Sequence, residues 1–174
     1  DVSNKQISDL TGIEDFTALT YLGCNNNQLT NLDVSANTAL TDLRCYDNQL
    51  TSLDVSANTA LTDLRCYDNQ LTRLNVSSNT ALTDLRCYDN QLTSLNVSAN
   101  TALTELRCED NQLTYLNMRN GVTDQLTTFY ATNNPILTCI ETLDPDYAAA
   151  NWTYANGNID AGVTFSENCS ASDL

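Results

Sequence analysis

The chain has 174 residues, 22 acidic against 7 basic side chains, no histidine, 41% apolar content, 5 glycines, 2 prolines and 7 cysteines. That is one domain's worth of chain, and the missing histidine excludes most hydrolytic triads and most zinc geometries. A formal charge of −15 argues against nucleic acid or an anionic membrane as partner, and no apolar stretch approaches the roughly 20 residues that cross a bilayer.

Self-similarity organises everything else. Cys24, Cys45, Cys66, Cys87 and Cys108 recur every 21 residues, and Leu29, Leu50, Leu71, Leu92 and Leu113 keep the same period. At the start, Asp1–Ile7 (DVSNKQI) aligns on Arg44–Leu50, which places Val2 in the cysteine slot. Residues 1–28 are therefore read as leading turns, with an N-terminal cap and any signal peptide expected upstream. Residues 29–112 are regular coils. One of them, Leu40–Ala60 (LTDLRCYDNQLTSLDVSANTA), divides into LxxLxC and LxxLxV halves. The first half fits the leucine-rich repeat template L-x-x-L-x-L-x-x-N/C-x-L, with cysteine in the third apolar slot.

Leu43 and Cys45 alternate with Asp42, Arg44 and Tyr46, a period of two that predicts a strand with one buried face. The second half points Leu53 and Val55 inward and ends in a polar SANT turn. So little chain is left for the return path that it must be extended or hold at most a short 3-10 segment. Each coil then buries about seven apolar side chains, which only stacking can shield. Residues 113–138 form a divergent last coil, with a two-residue insertion around Gly121 and with Phe129 and Ala131 in place of leucine and cysteine. The segment 139–174 changes composition, and DPDYAAANW offers a proline-started short helix; it is read as the C-terminal cap. The expected fold is a leucine-rich repeat solenoid of about seven coils of 21–22 residues. A parallel β-sheet lines its concave face, and there is little α-helix.

On neighbouring parallel strands the five repeating cysteines would stand about 4.8 Å apart with parallel Cβ vectors, wider than a disulfide accepts. A straight column cannot wrap one zinc either. They are read as buried thiols acting as small hydrophobes, with no metal site and no cofactor expected. Cys139 and Cys169 lie outside the column, and a disulfide between them would close the cap, as suits an exported protein; the same pair reduced would favour a cytosolic reading.

The unit LxxLxCxxNxLxxLxVSxNxx over residues 1–136 resembles the cysteine-ladder leucine-rich repeats of the internalin group of bacterial surface adhesins. Together with ISDLTGIEDFTAL and LTCIETLDPDYAAANWT, it is also similar to repeat regions of exported Bacteroidetes proteins. The resemblance implies a secreted or cell-surface bacterial recognition module that binds ligand on the concave strand face.

Repetition turns each outward position into a column. Asp42, Asp63, Asp84 and Glu105 make one; Arg44, Arg65, Arg86 and Arg107 make the next, with Gly23 before and Tyr130 after. Tyr46, Tyr67 and Tyr88 make a third that changes to Glu109, beside Asp47, Asp68, Asp89 and Asp110. Like charges at that spacing repel by roughly 0.9 kcal/mol even in water, so acid and base columns standing side by side relieve one another. The same tyrosine, arginine and carboxylate columns suit a protein partner, or a polysaccharide stacking on the aromatic rings. Asn27, Asn48, Asn69, Asn90, Asn111 and Asn134 sit where the template places asparagine and are expected to bond backbone groups as the strand turns away. The acidic columns could hold calcium, although no calcium-loop motif is present.

The leading functional reading is a non-catalytic, monomeric binding module with a protein partner. A polysaccharide-binding module is the alternative. Ice binding through the threonine columns Thr41, Thr62, Thr83, Thr104 and Thr51, Thr72, Thr93 is more remote, because charged columns stand nearby. An enzyme is least expected, since the carboxylate pairs recur in every coil instead of marking one pocket.

Overall fold

The structure, a computed structural model, describes residues 1–169. The end of the expected capping segment, 170–174, lies outside the described residues. In chain order the strands are β1 (Tyr21–Gly23), β2 (Asp42–Arg44), β3 (Asp63–Arg65), β4 (Asp84–Arg86), β5 (Ser94–Asn96), β6 (Glu105–Arg107), β7 (Tyr115–Met118), β8 (Thr128–Tyr130), β9 (Cys139–Thr142) and β10 (Thr164–Ser166). Single 3-10 turns occupy Ile13–Asp15 and Thr123–Gln125, and one helix, α1, spans Pro145–Asn151.

The LxxLxC halves build a six-stranded parallel sheet in the order β1-β2-β3-β4-β6-β8. Its register is a plain translation by one coil: Leu43 opposite Leu64, Leu64 opposite Leu85, Leu85 opposite Leu106 and Leu106 opposite Phe129. The LxxLxV halves are extended, as expected, and toward the C-terminal end those of β5 and β7 join β9 and β10 of the C-terminal segment in a second parallel sheet, β10-β9-β7-β5. The chain is thus a solenoid of about seven turns with a single short helix among the described residues.

Inside each coil the apolar pattern closes on itself. Leu40, Leu43, Cys45, Leu50 and Val55 have no exposed surface, and Leu53 has little. The polar corner also turns a side chain inward: Asn37, Asn58, Asn79 and Asn100 are fully buried. The physical reason is the tight corner that follows Val55, where carbonyls point inward and need a donor. Asn58 Nδ2 donates to Val34 O and Asn37 O, each at 2.9 Å, and Asn79 and Asn100 repeat the pattern one coil on. The two-residue insertion of the last coil is absorbed at Gly121, whose φ of 76° a residue with a side chain rarely adopts, and by the 3-10 turn beside it.

The ends are treated differently. At the start, Val2 N donates to Gly23 O at 2.7 Å and Asn27 Nδ2 donates to Val2 O, so Val2 does stand in the cysteine slot. At the far end, α1 begins with Asp144 accepting from Tyr147 N at 3.0 Å and with Pro145 in the first turn. Trp152, just past the helix, packs on Phe129 with ring centres 4.5 Å apart and meets Phe165 edge-on. Asn158 accepts from Ala131 N and donates to Phe129 O, and the Asp160 carboxylate accepts from Asn133 N and Asn134 N. The segment therefore satisfies backbone groups that the last strand of the large sheet would leave open. Its first residues belong to the solenoid itself, because β9 pairs in register with β7.

Candidate recognition face

The outer surface of the six-stranded sheet carries the expected charged and aromatic columns, and the parallel register brings them side by side. Arg44, Arg65 and Arg86 each grip the aspartate two residues earlier on the same strand, which lies on the same face because strand side chains alternate. Nε and Nη2 each donate to a different carboxylate oxygen, at 3.1 and 2.9 Å for Arg44–Asp42, 2.9 and 2.8 Å for Arg65–Asp63, and 3.1 and 3.0 Å for Arg86–Asp84. Arg65 also reaches Asp84 at 3.5 Å and Arg86 reaches Glu105 at 3.0 Å, so the pairs join into a ladder across coils. The Asp63 hydrogen bond leads in holding the Arg65 guanidinium more firmly protonated than usual.

Arg107 breaks the pattern. It leaves Glu105 to Arg86 and turns forward, with Nε and Nη2 both donating to Glu109 Oε1. Its guanidinium carbon lies 4.4 Å from the centre of the Tyr88 ring and 5.6 Å from that of Tyr130. Glu109 is 6% exposed, its Oε2 is buried with no hydrogen-bond partner, and burial pushes its carboxyl up from the ordinary range. Tyr21 closes the other end. Its hydroxyl lies 2.6 Å from where a Cβ on Gly23 would stand, so the glycine in the arginine column makes room for the ring, and Arg44 sits 5.3 Å above it. Neither Tyr21 nor Glu109 was among the expected site residues, although the 21-residue register places Tyr21 beside Asp42 and the break from tyrosine to Glu109 is visible in the sequence.

Tyr46, Tyr67 and Tyr88 stack on one another with centres 4.3 Å apart and planes within 10°. Both faces of Tyr67 are covered by its neighbours, and the far face of Tyr88 is covered by Arg107. One strand spacing, about 4.8 Å, brings rings with a shared rotamer to near stacking distance, so they satisfy each other and present edges and hydroxyls outward. Burial, more than the neighbouring rings, pushes the Tyr67 phenol up. Tyr130, more exposed at 38%, stands apart from the stack.

Beside the tyrosines, Asp47, Asp68, Asp89 and Asp110 all adopt left-handed backbone with φ of 50–54°. These residues end the strand and start the corner, a conformation that Asp and Asn tolerate better than other side-chain-bearing residues. Partial burial, then the adjacent aspartates, hold the carboxyls of Asp68 and Asp89 above the usual range.

Behind the face, Cys24, Cys45, Cys66, Cys87 and Cys108 are free and buried in one column, and burial pushes the Cys24 thiol up to about 12 and raises the other four as well. The template asparagines form their own ladder: Asn48 Nδ2 donates to Cys24 O and Cys45 O while its Oδ1 accepts from Leu29 N, and Asn69, Asn90, Asn111 and Asn134 repeat it. Asn27 Oδ1 accepts from Ile7 N. Cys139 and Cys169 form a disulfide with Cα atoms 5.9 Å apart. The sequence read SANT as a plain turn and so missed the second, buried asparagine ladder; its signal is the strict 21-residue spacing of Asn37, Asn58, Asn79 and Asn100.

Coils of this length, with a parallel sheet on one side and asparagine ladders at the corners, define a leucine-rich repeat solenoid, an architecture built around an extended binding surface. Among solved structures, the chain is similar to an internalin (InlF) from Listeria monocytogenes, with 22% identity over 95% of this chain and 46% of that one and a TM-score of 0.68. It is also similar to internalin C2 (InlC2) from the same organism, with 23% identity over 92% and 67% of the two chains and a TM-score of 0.66. The functional domain of InlJ from Listeria monocytogenes, which includes a cysteine ladder, is 33% identical over 80% of this chain and 42% of that one, with a TM-score of 0.48. The chain thus spans less than half the length of the InlJ and InlF chains. No family model matches the chain, and no curated protein does.

Proposed function

We propose that this chain is a non-catalytic recognition module of an exported or cell-surface bacterial protein. It acts as a single copy and binds a folded protein partner through the outer face of the six-stranded sheet. The observation that carries the reading is the closed tyrosine stack flanked by a pre-paired arginine–carboxylate ladder. Side chains already locked by their neighbours lose little freedom on binding, which favours a large protein surface. Ring faces already covered have little to offer a sugar. The Cys139–Cys169 disulfide supports an oxidising location.

The test is binding of the wild-type chain and of a Tyr46→Ala/Tyr67→Ala/Tyr88→Ala variant to arrays of folded extracellular protein domains and of bacterial, algal and host glycans. Protein binding that the variant loses is the expected result. Glycan binding lost in the variant would put the carbohydrate module first, and binding that survives in the variant would move the site off this face.

A further inference from the structure

Four strands of the large sheet carry the same arginine, so the chain contains its own comparison. Arg44, Arg65 and Arg86 are each followed two residues on by a tyrosine, and each turns back to the aspartate two residues before it. Arg107 has a carboxylate on both sides: Glu105 behind it, in the place the other arginines grip, and Glu109 ahead, in the place of the tyrosine. It turns forward, with Nε donating to Glu109 Oε1 at 2.9 Å, and its guanidinium lies against the Tyr88 ring. Among the described residues Glu105 is then ion-paired only to Arg86, through Oε1 at 3.0 Å. The forward turn occurs in the one coil that has a carboxylate at this place.

The charge on Glu109 is poorly housed. Arg107 meets only Oε1, while Oε2 is buried without a hydrogen-bond partner, a place that suits the neutral acid better than the ion. Burial outweighs the pull of Arg107, so the carboxyl takes up its proton above the ordinary 4.5. Around it stand Arg107 and Asp110 from its own coil, Tyr88, Asp89 and Cys87 from the coil before and Tyr130 from the coil after, with Cys108 behind. Arg107 is the one cation in this group, and phenols and thiols stay neutral in acid. We infer that Arg107 is a proton-released cover for the outer face of Tyr88: when Glu109 takes up a proton, Arg107 swings back to Glu105, as the three preceding arginines do, and the end of the tyrosine stack opens. The proton comes from solvent and neutralises Glu109, which ends the ion pair. Glu105, its side chain 23% exposed against 8% for Glu109, is the better-solvated partner that remains. The consequence for binding rests on the recognition reading above: this end of the face presents more aromatic surface in mildly acid surroundings than at neutral pH.

The experiment follows three side-chain NMR signals of the wild-type chain from about pH 7 downward: the Glu109 carboxyl carbon, the Arg107 Nε–H and the Tyr88 ring. The expected result is a Glu109 titration with its midpoint above 4.5, and Arg107 and Tyr88 signals that move with the same midpoint. A Glu109→Gln chain, neutral at that position at every pH, should show the acid positions of Arg107 and Tyr88 already at about pH 7 and no further change. An Asp68→Asn/Asp89→Asn chain lacks the two neighbouring carboxyls that are also held above the usual range, and it should keep the transition. Arg107 and Tyr88 signals that stay fixed while Glu109 titrates would overturn the proposal. So would an Arg107 that remains over Tyr88 in Glu109→Gln, or a transition that vanishes in the Asp68/Asp89 variant. None of these signals involves a partner, so the cover can fail while the recognition reading stands, and a chain that binds nothing on the arrays would remove that reading without moving them.

Discussion

At Asn79 the side-chain amide donates to the carbonyls of Val55 and Asn58, both at 2.9 Å and both out of reach of water. Replacing it with alanine leaves two inward carbonyls without a donor, and an Asn79→Ala chain should lose about 2–3 kcal/mol in urea unfolding. The amide oxygen has no partner, so Asn79→Asp would be worse, placing an unpaired charge in the core. The cysteine column gives a pH signature. In the unfolded chain each thiol ionises near its ordinary 9.0, whereas the folded chain keeps Cys24 protonated up to about 12, and burial raises the other four as well. The folded state therefore holds more protons in this range. Stability is complete below about pH 9 and falls as pH rises, by up to about 1.4 kcal/mol per pH unit for each thiol. Urea midpoints should drop steeply between about pH 9 and 10.5, and a Cys45→Ala/Cys66→Ala/Cys87→Ala variant should show a shallower slope.

At the scale of elements, the C-terminal closure depends on a few attachments. β10 is held to β9 by parallel pairing, by the Cys139–Cys169 disulfide with a sequence separation of 30, and by Glu141, which accepts from Cys169 N at 3.2 Å and from the Tyr115 hydroxyl at 3.0 Å. Closing a loop of that length stabilises by roughly 3–4 kcal/mol through the unfolded chain. A Cys139→Ser/Cys169→Ser variant should show faster hydrogen exchange first in β10 and β9, while the regular coils keep their protection; uniform loss across all coils would contradict this division. Titration with a thiol reagent should find no reactive thiol in the native chain and five after denaturation without reductant.

For the molecule as a whole, identical register means that one coil is a removable unit. Deleting residues 61–81 joins Ala60 to Leu82, which stands where Leu61 stood, so every strand still meets a partner one coil away. Such a chain should fold with the same circular dichroism shape and a lower unfolding midpoint, since stability in a stacked array is close to a sum over coils and their contacts. Deleting only residues 61–70 would put strand sequence where a corner belongs, and that chain should not fold.

Periodicity by itself determined the solenoid, the inward leucines and cysteines, the template asparagine ladder and the order of the outward columns. A period of 21 residues with alternation inside it leaves one way to stack apolar faces. It could not say how neighbouring copies would use their side chains. Tertiary structure decided that Tyr46, Tyr67 and Tyr88 turn their faces to each other, that Arg107 abandons Glu105 for Glu109, and that Asn58 and its equivalents go inside to serve carbonyls at the second corner. Each of these depends on rotamers and on which backbone groups face inward once two coils are in contact, and these are set by packing between residues some 20 positions apart.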